Sequence, residues 1–281
     1  MQQNTPEWRE FRRNKIGASD AAPILGISPY QTAFDLWEEK VFGRERETTQ
    51  AMARGTAMED KARHVFERMT GIAMLPKVVL SKKHEWQMAS LDGISLDEGT
   101  FVEIKCPSHE VHKMAENGEI PPYYYSQLQH QLCVLEVKMG FYFSFDGEKG
   151  AVVEVTRDEK YIDDLLAKEE QFYQCLINRD PPALGERDYA VQETSDWIKL
   201  SEEWKVVASD LKSLEKKESE LRKHLVDLTN GKNSKGNGIL VTRSNPKGSV
   251  DYGKIPELIG VDLEMYRKPS SERWTIRSTK N

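Results

Sequence analysis

The chain has 281 residues, 31% of them charged, and a formal net charge of −6. This is room for one large domain or a domain with an appendage, and no apolar run approaches the roughly 20 residues that would cross a bilayer. The charge balance leaves no bulk electrostatic footprint for nucleic acid, although acidic residues gathered at a metal site would hide a local basic groove.

The chain opens with MQQNTPEWREFRRNK, which lacks the apolar core of a secretory signal. With three scattered cysteines, Cys106, Cys133 and Cys175, that favour neither a disulfide framework nor a zinc or iron–sulfur site, it predicts a reducing, cytoplasmic setting. TPEWREFRRNK is expected to be a helix with Thr5 as N-cap and Pro6 in its first turn. SDAAPILG and TAFDLWEEKVFG predict two more helices, and TAMEDKARHVFERMTG a longer one with Met58, Ala62, Val65, Phe66 and Met69 on its apolar face. Strand-like runs follow at KVVLSK, WQMASLDGIS and FVEIKCP, then a helical YYYSQLQHQLCVLE, then strands at MGFYFSFD and AVVEVTR, then a helix over DEKYIDDLLAKEEQFYQCLIN. Strands interleaved with helices in this order predict an α/β (α+β) domain with a mixed central sheet flanked by helices.

Texture changes near residue 180. NRDPPALGERDYA, with two prolines and a glycine, reads as a connector, so residues 1–180 and 181–281 are expected to be separate domains. In the second, apolar residues at Trp197, Leu200, Trp204, Val207, Leu211, Leu214, Leu221, Leu225 and Leu228 predict one long amphipathic helix, capped by Ser195 or Asp196 and stopped by Gly231, serving packing or oligomerisation. Lys212, Lys216 and Lys217 alternate with Asp210, Glu215 and Glu218, the pattern of a solvated face. GNGILVTRSN and ERWTIRS are expected to add short strands, a small β tail.

The chemistry is concentrated in SLDGISLDEGTFVEIKCP, Ser90 to Pro107. Residues two apart in a strand share a face, so Glu103 and Lys105 point together, away from Val102 and Ile104. A buried carboxylate and ammonium are costly unless paired or bound to a metal. A turn at Gly93 is expected to bring Asp92 beside Glu103. Two adjacent carboxylates repel, and a divalent cation with oxygen ligands removes that penalty. Asp92, Glu103 and the carbonyl of Ile104 suit Mg²⁺ or Mn²⁺, and Lys105 is placed to orient or deprotonate a bound water or to stabilise charge on a phosphate. His109, His112 and His130 lack the i, i+4 partner spacing of a metal motif and are read as structural or as lying near bound DNA.

The D…E-x-K spacing resembles the PD-(D/E)XK nuclease superfamily, with Leu91 where the motif has proline. Five blocks in order narrow the resemblance: EWREFRRNKIGASDAAPILG, ARGTAMEDKARHVFERMTG, SLDG, EIKCP and YYYSQLQHQLCVLE. Together they resemble the lambda exonuclease or YqaJ-like viral recombinase family over about the first 180 residues. The resemblance implies a restriction-endonuclease-like core, with Asp92 and Glu103 as metal ligands, Ile104 giving its carbonyl and Glu59 helping with a second cation or its water. It implies Lys105 as the catalytic lysine, supported by Gln127, with Tyr124 lining the DNA path. Arg12 and Ser19 match positions that hold a 5′-terminal phosphate, and Ser90 would add a hydroxyl. Arg13 is the alternative to Arg12 if the helix register differs.

The expected activity is a Mg²⁺- or Mn²⁺-dependent double-strand DNA exonuclease of phage recombination, working 5′ to 3′ and leaving 3′ single strands. The resemblance further implies a homotrimeric ring on DNA ends and a single-strand annealing partner, with no membrane association. Two rivals are another nuclease of the superfamily, an endonuclease or a Cas4-like enzyme, and a non-catalytic DNA-binding assembly subunit whose long helix docks a partner.

Overall fold

The computed structural model describes residues 6–44, 49–246, 248, 249, 254–258, 261 and 266. The chain divides into two compact units, Met1–Ala190 and Val191–Asn281, so the connector stays with the first.

The first unit opens with α1 (Pro6–Arg13), β1 (Ile16–Gly17), a 3₁₀ turn at Ala18–Asp20, α2 (Ala21–Ile24) and α3 (Ala33–Phe42). Proline at the first position of α1 gives up an N–H that has no helical partner anyway; the expected cap Thr5 lies outside the described residues. α3 is held by a capping box, Thr32 accepting from the Asp35 amide and Asp35 from the Thr32 amide. α4 (Gln50–Thr70) begins earlier than its apolar pattern predicts because Thr49 caps it, and it stops where Gly71 turns left-handed at φ 75°. Next come β2 (Met74–Leu80), β3 (Gln87–Ser95), β4 (Phe101–Lys105), α5 (His109–Glu116), α6 (Pro122–Leu135), β5 (Met139–Phe145), β6 (Gly150–Thr156) and α7 (Glu159–Ile177). β1 and α5 were not legible: a two-residue strand has no period, and α5 is only two turns long.

The sheet is mixed. β3 pairs antiparallel with β2 along one edge, with a bulge at Pro76, whose missing N–H cannot serve the ladder. On its other edge β3 pairs parallel with β1 at Gln87 and Met88 and antiparallel with β4 at Gly93 and Ile94. Between those two stretches lie Ser90 and Asp92, and there the sheet splays open. β4 continues parallel to β5, and β5 antiparallel to β6. Helices cover both faces. Val102, Ile104, Phe143 and Phe145 pack on Ala62 and Phe66 of α4. Phe101 and Tyr142 pack on Leu128 and Leu132 of α6 and Ile162 of α7. Glu103 and Lys105 follow Phe101 onto the α6 face, as the two-residue period requires.

Gly93 does not make the expected turn. It lies inside β3 opposite Val102, and the reversal falls at residues 96–100. Glycine is needed for space: a Cβ there would stand 2.7 Å from Met74 Cβ and 2.9 Å from Val102 Cγ1.

In the second unit α8 (Ser195–Leu228) is a single helix capped by the Thr194 side chain, one residue before the expected caps. The earlier residue wins because its hydroxyl reaches the Trp197 amide, the third into the helix. α8 ends at Thr229, and Gly231 follows in the left-handed region. β7 (Ser234–Gly236) and β8 (Ile239–Val241) form a hairpin around Asn237 and Gly238, both at positive φ as a type I′ turn demands. The expected strand ERWTIRS lies outside the described residues.

Candidate active site

The splay between β3 and β4 opens a cleft of about 180 Å³ lined by Arg12, Gly17, Ala18, Ser19, Met88, Ser90, Asp92, Glu103, Lys105 and Gln127. Seven residues singled out from sequence meet there: Arg12, Ser19, Ser90, Asp92, Glu103, Lys105 and Gln127. Ile104 joins through its backbone. Where a ladder bond would lie had the strands stayed together, its N–H donates to Asp92 Oδ2 at 2.8 Å. That bond locks the aspartate against β4, one strand from Glu103.

Glu103 is buried and surrounded by donors. Lys105 Nζ lies 2.5 Å from Oε1, Gln127 Nε2 donates to the same oxygen at 2.6 Å, and Gln131 Nε2 donates to Oε2 at 2.5 Å. Gln127 and Gln131 are one helical turn apart on α6, so both face the sheet. Gln129 points elsewhere and bridges the Thr156 carbonyl and the Asp158 amide. Gln131 was not singled out as a site residue; its i, i+4 relation to Gln127 is the signal that could have found it.

Electrostatics follow from burial and from like charges in a confined space. Burial and the neighbouring Glu103 carboxylate push Asp92 well above the ordinary carboxylate range, against the pull of Lys105 and the Ile104 amide. Burial pulls Lys105 down, but Glu103 and Asp92 outweigh it, and the net direction is up, so Lys105 is an ammonium. Its charge also lies over the Tyr124 ring, 5.4 Å from the centroid. Glu59 is outside the cleft lining. It pairs with Arg63 at 3.9 Å, and burial, with Glu103 adding, raises it. Arg63 also donates to the Asp92 carbonyl at 3.1 Å, tying α4 to the splayed strand.

The other end of the cleft is cationic. Arg12 Nη2 reaches Ser19 Oγ at 2.5 Å and Asp20 Oδ1 at 3.0 Å. Asp20 is buried and also receives Lys40 Nζ at 2.8 Å and the Gly17 amide at 2.8 Å. Burial opposes its charge, but Lys40 and Arg12 prevail and hold it at about 2. Asp20 thus holds Arg12 and Lys40 on its two oxygens and fixes the guanidinium beside the Ser19 hydroxyl. Neither Asp20 nor Lys40 was identified from sequence, since their contact spans twenty residues and no local pattern signals it. Arg13 turns away, donating to the Lys40 and Val41 carbonyls, so Arg12 is the arginine at the cleft.

Two of the three histidines singled out have structural partners. His112 Nδ1 meets Ser144 Oγ at 2.8 Å. Fully buried His130 meets Glu169 Oε1 at 2.6 Å and the Met88 carbonyl at 2.8 Å. His109 is exposed at the start of α5. The three cysteines are free thiols. Among the described residues no group of three or more His, Cys, Asp or Glu side chains could hold a metal by itself, so any cation here would rest on Asp92 and Glu103 with backbone and water oxygens.

Residues 7–138 match the model of the YqaJ-like viral recombinase domain. Those residues are similar to that family. A Bacillus subtilis (strain 168) protein, described as uncharacterized protein YqaJ, is 32% identical over 186 residues, 63% of this chain and 58% of that protein. The chain therefore spans well under two thirds of that relative's length. Two crystal structures of LHK-Exo, an alkaline exonuclease from Laribacter hongkongensis, share the fold. One is in complex with dAMP (TM-score 0.56) and the other is not described with a ligand (0.55); each is 24% identical and covers 62% of this chain and 94% of its own. The first unit thus shares its fold with that exonuclease, and the segment matched by the family model holds every residue lining the cleft. Among the described residues no helix is long and apolar enough to cross a membrane.

Proposed function

We propose that the YqaJ-like domain is a metal-dependent deoxyribonuclease acting on the ends of double-stranded DNA, an exonuclease that removes nucleotides from the 5′ terminus and leaves a 3′ single strand for phage-type recombination. One observation carries this reading: a single cleft joins Asp92, Glu103 and Lys105 at one end to Arg12 and Ser19 at the other.

The donor set fits a divalent cation, Mg²⁺ or Mn²⁺. Asp92 and Glu103 stand on adjacent strands, and Asp92 carries a proton-attracting strain that a cation would relieve. Together with the Ile104 carbonyl they would hold it, and Glu59, outside the cleft, would act through the field it adds. When bound, such an ion supplies Lewis acidity and a water of lowered pKa. The protein's own groups do the rest. Gln127 and Gln131 fix both oxygens of Glu103. Lys105 holds its proton firmly, so it donates hydrogen bonds and offsets charge that develops on the phosphate. Arg12 and Ser19 present a guanidinium and a hydroxyl to a terminal phosphate, with Ser90 on the wall between. Tyr124 flanks the strand's path beside Lys105. Hydrolysis places water oxygen on phosphorus and breaks the P–O3′ bond, releasing a nucleotide with its 5′-phosphate.

By the same family likeness we infer a homotrimeric ring around the duplex and a single-strand annealing protein as partner. The test is digestion of linear duplex labelled separately at each 5′ and 3′ end, with and without Mg²⁺, alongside covalently closed circles. Loss of 5′ label first, only with Mg²⁺ and with circles intact, is expected, and Lys105→Ala or Asp92→Ala should abolish cleavage. Cut circles would indicate an endonuclease, and activity surviving in both variants would refute the assignment.

A further inference from the structure

We propose that α8 is one strand of an antiparallel two-stranded coiled coil, and that its partner is the α8 of a second copy of this chain. This goes beyond the nuclease reading and does not depend on it. From Trp197 to Leu228 the seam positions step by three and four: 197, 200, 204, 207, 211, 214, 218, 221, 225 and 228, all apolar except Glu218. That is a strict 3.5-residue repeat along about 48 Å of helix. A surface helix on a globular core would show a broader stripe with a 3.6 period. None of these side chains is buried among the described residues; Leu200 is 63% exposed, Leu214 63% and Leu228 77%. An apolar seam of this length in water calls for a covering helix.

Charge decides what covers it, and in which direction. With Trp197, Trp204, Leu211, Glu218 and Leu225 at the a positions, Leu200, Val207, Leu214, Leu221 and Leu228 are at d. The flanking g positions are Glu203, Asp210, Lys217 and His224, and the e positions Ser201, Ala208, Glu215 and Arg222. In a parallel coil of copies, g faces e of the next heptad, setting Asp210 against Glu215 and Lys217 against Arg222, both repulsive. It would also stack Glu218 on Glu218 in one core layer. A parallel three-stranded coil meets the same repulsions. In an antiparallel pair, a faces d and g faces g. The seam then closes over its full length: Leu211 on Leu214, Trp204 on Leu221, Trp197 on Leu228. Asp210 now faces Lys217 and Glu203 faces His224, each pair occurring twice by the two-fold symmetry. Glu218 faces Val207 instead of itself, about 16 Å along the seam from its twin at 1.5 Å per residue, and its i+4 bond with Arg222 at 2.7 Å partly satisfies it.

The orientation makes the test sign-specific. The mass of the full chain is measured by light scattering and its association constant by sedimentation equilibrium. The unaltered chain should have twice the mass of a Leu211→Asp/Leu214→Asp variant, a dimer against a monomer or, with the nuclease domain in the inferred ring of three, two rings joined face to face against one. Asp210→Lys should weaken association on the order of tenfold by turning two attractive pairs repulsive. Adding Lys217→Asp to it should restore the affinity. In a parallel coil Asp210→Lys would instead meet Glu215 and tighten association, and that result overturns the proposal. Equal masses for the unaltered chain and the double aspartate variant also overturn it, leaving the seam to a different protein.

Discussion

The buried pair His130–Glu169 ties the helix that holds Glu103 to the strand that carries Asp92, and it makes a quantitative prediction. His130 meets an oxygen at each ring nitrogen, Glu169 Oε1 at 2.6 Å and the Met88 carbonyl at 2.8 Å, and with Glu169 as a carboxylate both nitrogens donate, which makes the ring an imidazolium. Gln87 donates to the other Glu169 oxygen at 2.9 Å, and both ionic side chains are fully buried. Burial pulls His130 down, but Glu169, the two hydrogen bonds and more distant Asp20 outweigh it, and the net direction is up. Glu169→Gln strands a buried imidazolium, which should cost about 3–5 kcal/mol. For a unit of this size each kcal/mol corresponds to roughly 2–4 °C, so the melting temperature should fall by about 6–20 °C.

The pH dependence fixes the sign. A histidine whose folded pKa is raised contributes stability that is fully present below its unfolded value of about 6.5 and is lost as pH rises through the folded value. In Glu169→Gln the ring is favoured neutral, so its contribution is lost as pH falls below about 6.5. The gap between the two proteins should therefore be widest at the acid end of the pH range measured and narrow at alkaline pH. Asp20, at about 2, does not titrate in this window. Thermal melts of both proteins from pH 5.5 to 9 measure it. A drop under about 2 °C at pH 6, or parallel pH profiles, would refute the claim that this pair is charged and holds the site together.

Gln131→Ala removes the sole donor to Glu103 Oε2 among the described residues, and initial rates on linear duplex should fall about ten- to hundredfold, since a bond to a charged group is worth roughly 1.5–3 kcal/mol. Gly93→Ala forces a methyl against Met74 and Val102; denaturant midpoints should show a loss of about 1–3 kcal/mol from overpacking, with the activity of the folded fraction reduced because Asp92 is adjacent. Lys40→Met removes one of the two cations on buried Asp20, leaving Arg12 and the Gly17 amide. It should cost about 3–5 kcal/mol in stability and shrink the rate preference for 5′-phosphorylated over 5′-hydroxyl ends, read by comparing both substrates.

Local pattern carried much of this protein. Alternation in FVEIK placed Glu103 and Lys105 on one face, and the structure has them there because a strand's side chains can only alternate. Apolar residues three, four and seven apart predicted the helix α8, since a helical face is a local property. The D…E-x-K spacing with its flanking blocks pointed to the cleft's carboxylates, lysine and Gln127. Tertiary structure decided what depends on distant segments meeting. Gly93 looked like a turn residue and proved to be a point of close approach, because its neighbours Met74 and Val102 come from other strands. The cationic end of the cleft exists because α3 delivers Lys40 under Asp20, and Gln131 and Glu169 acquired roles only when α6 and α7 packed on the sheet. Such groups leave no trace in sequence: their partners lie tens of residues away, and burial, which makes those contacts strong, is a property of the folded chain alone.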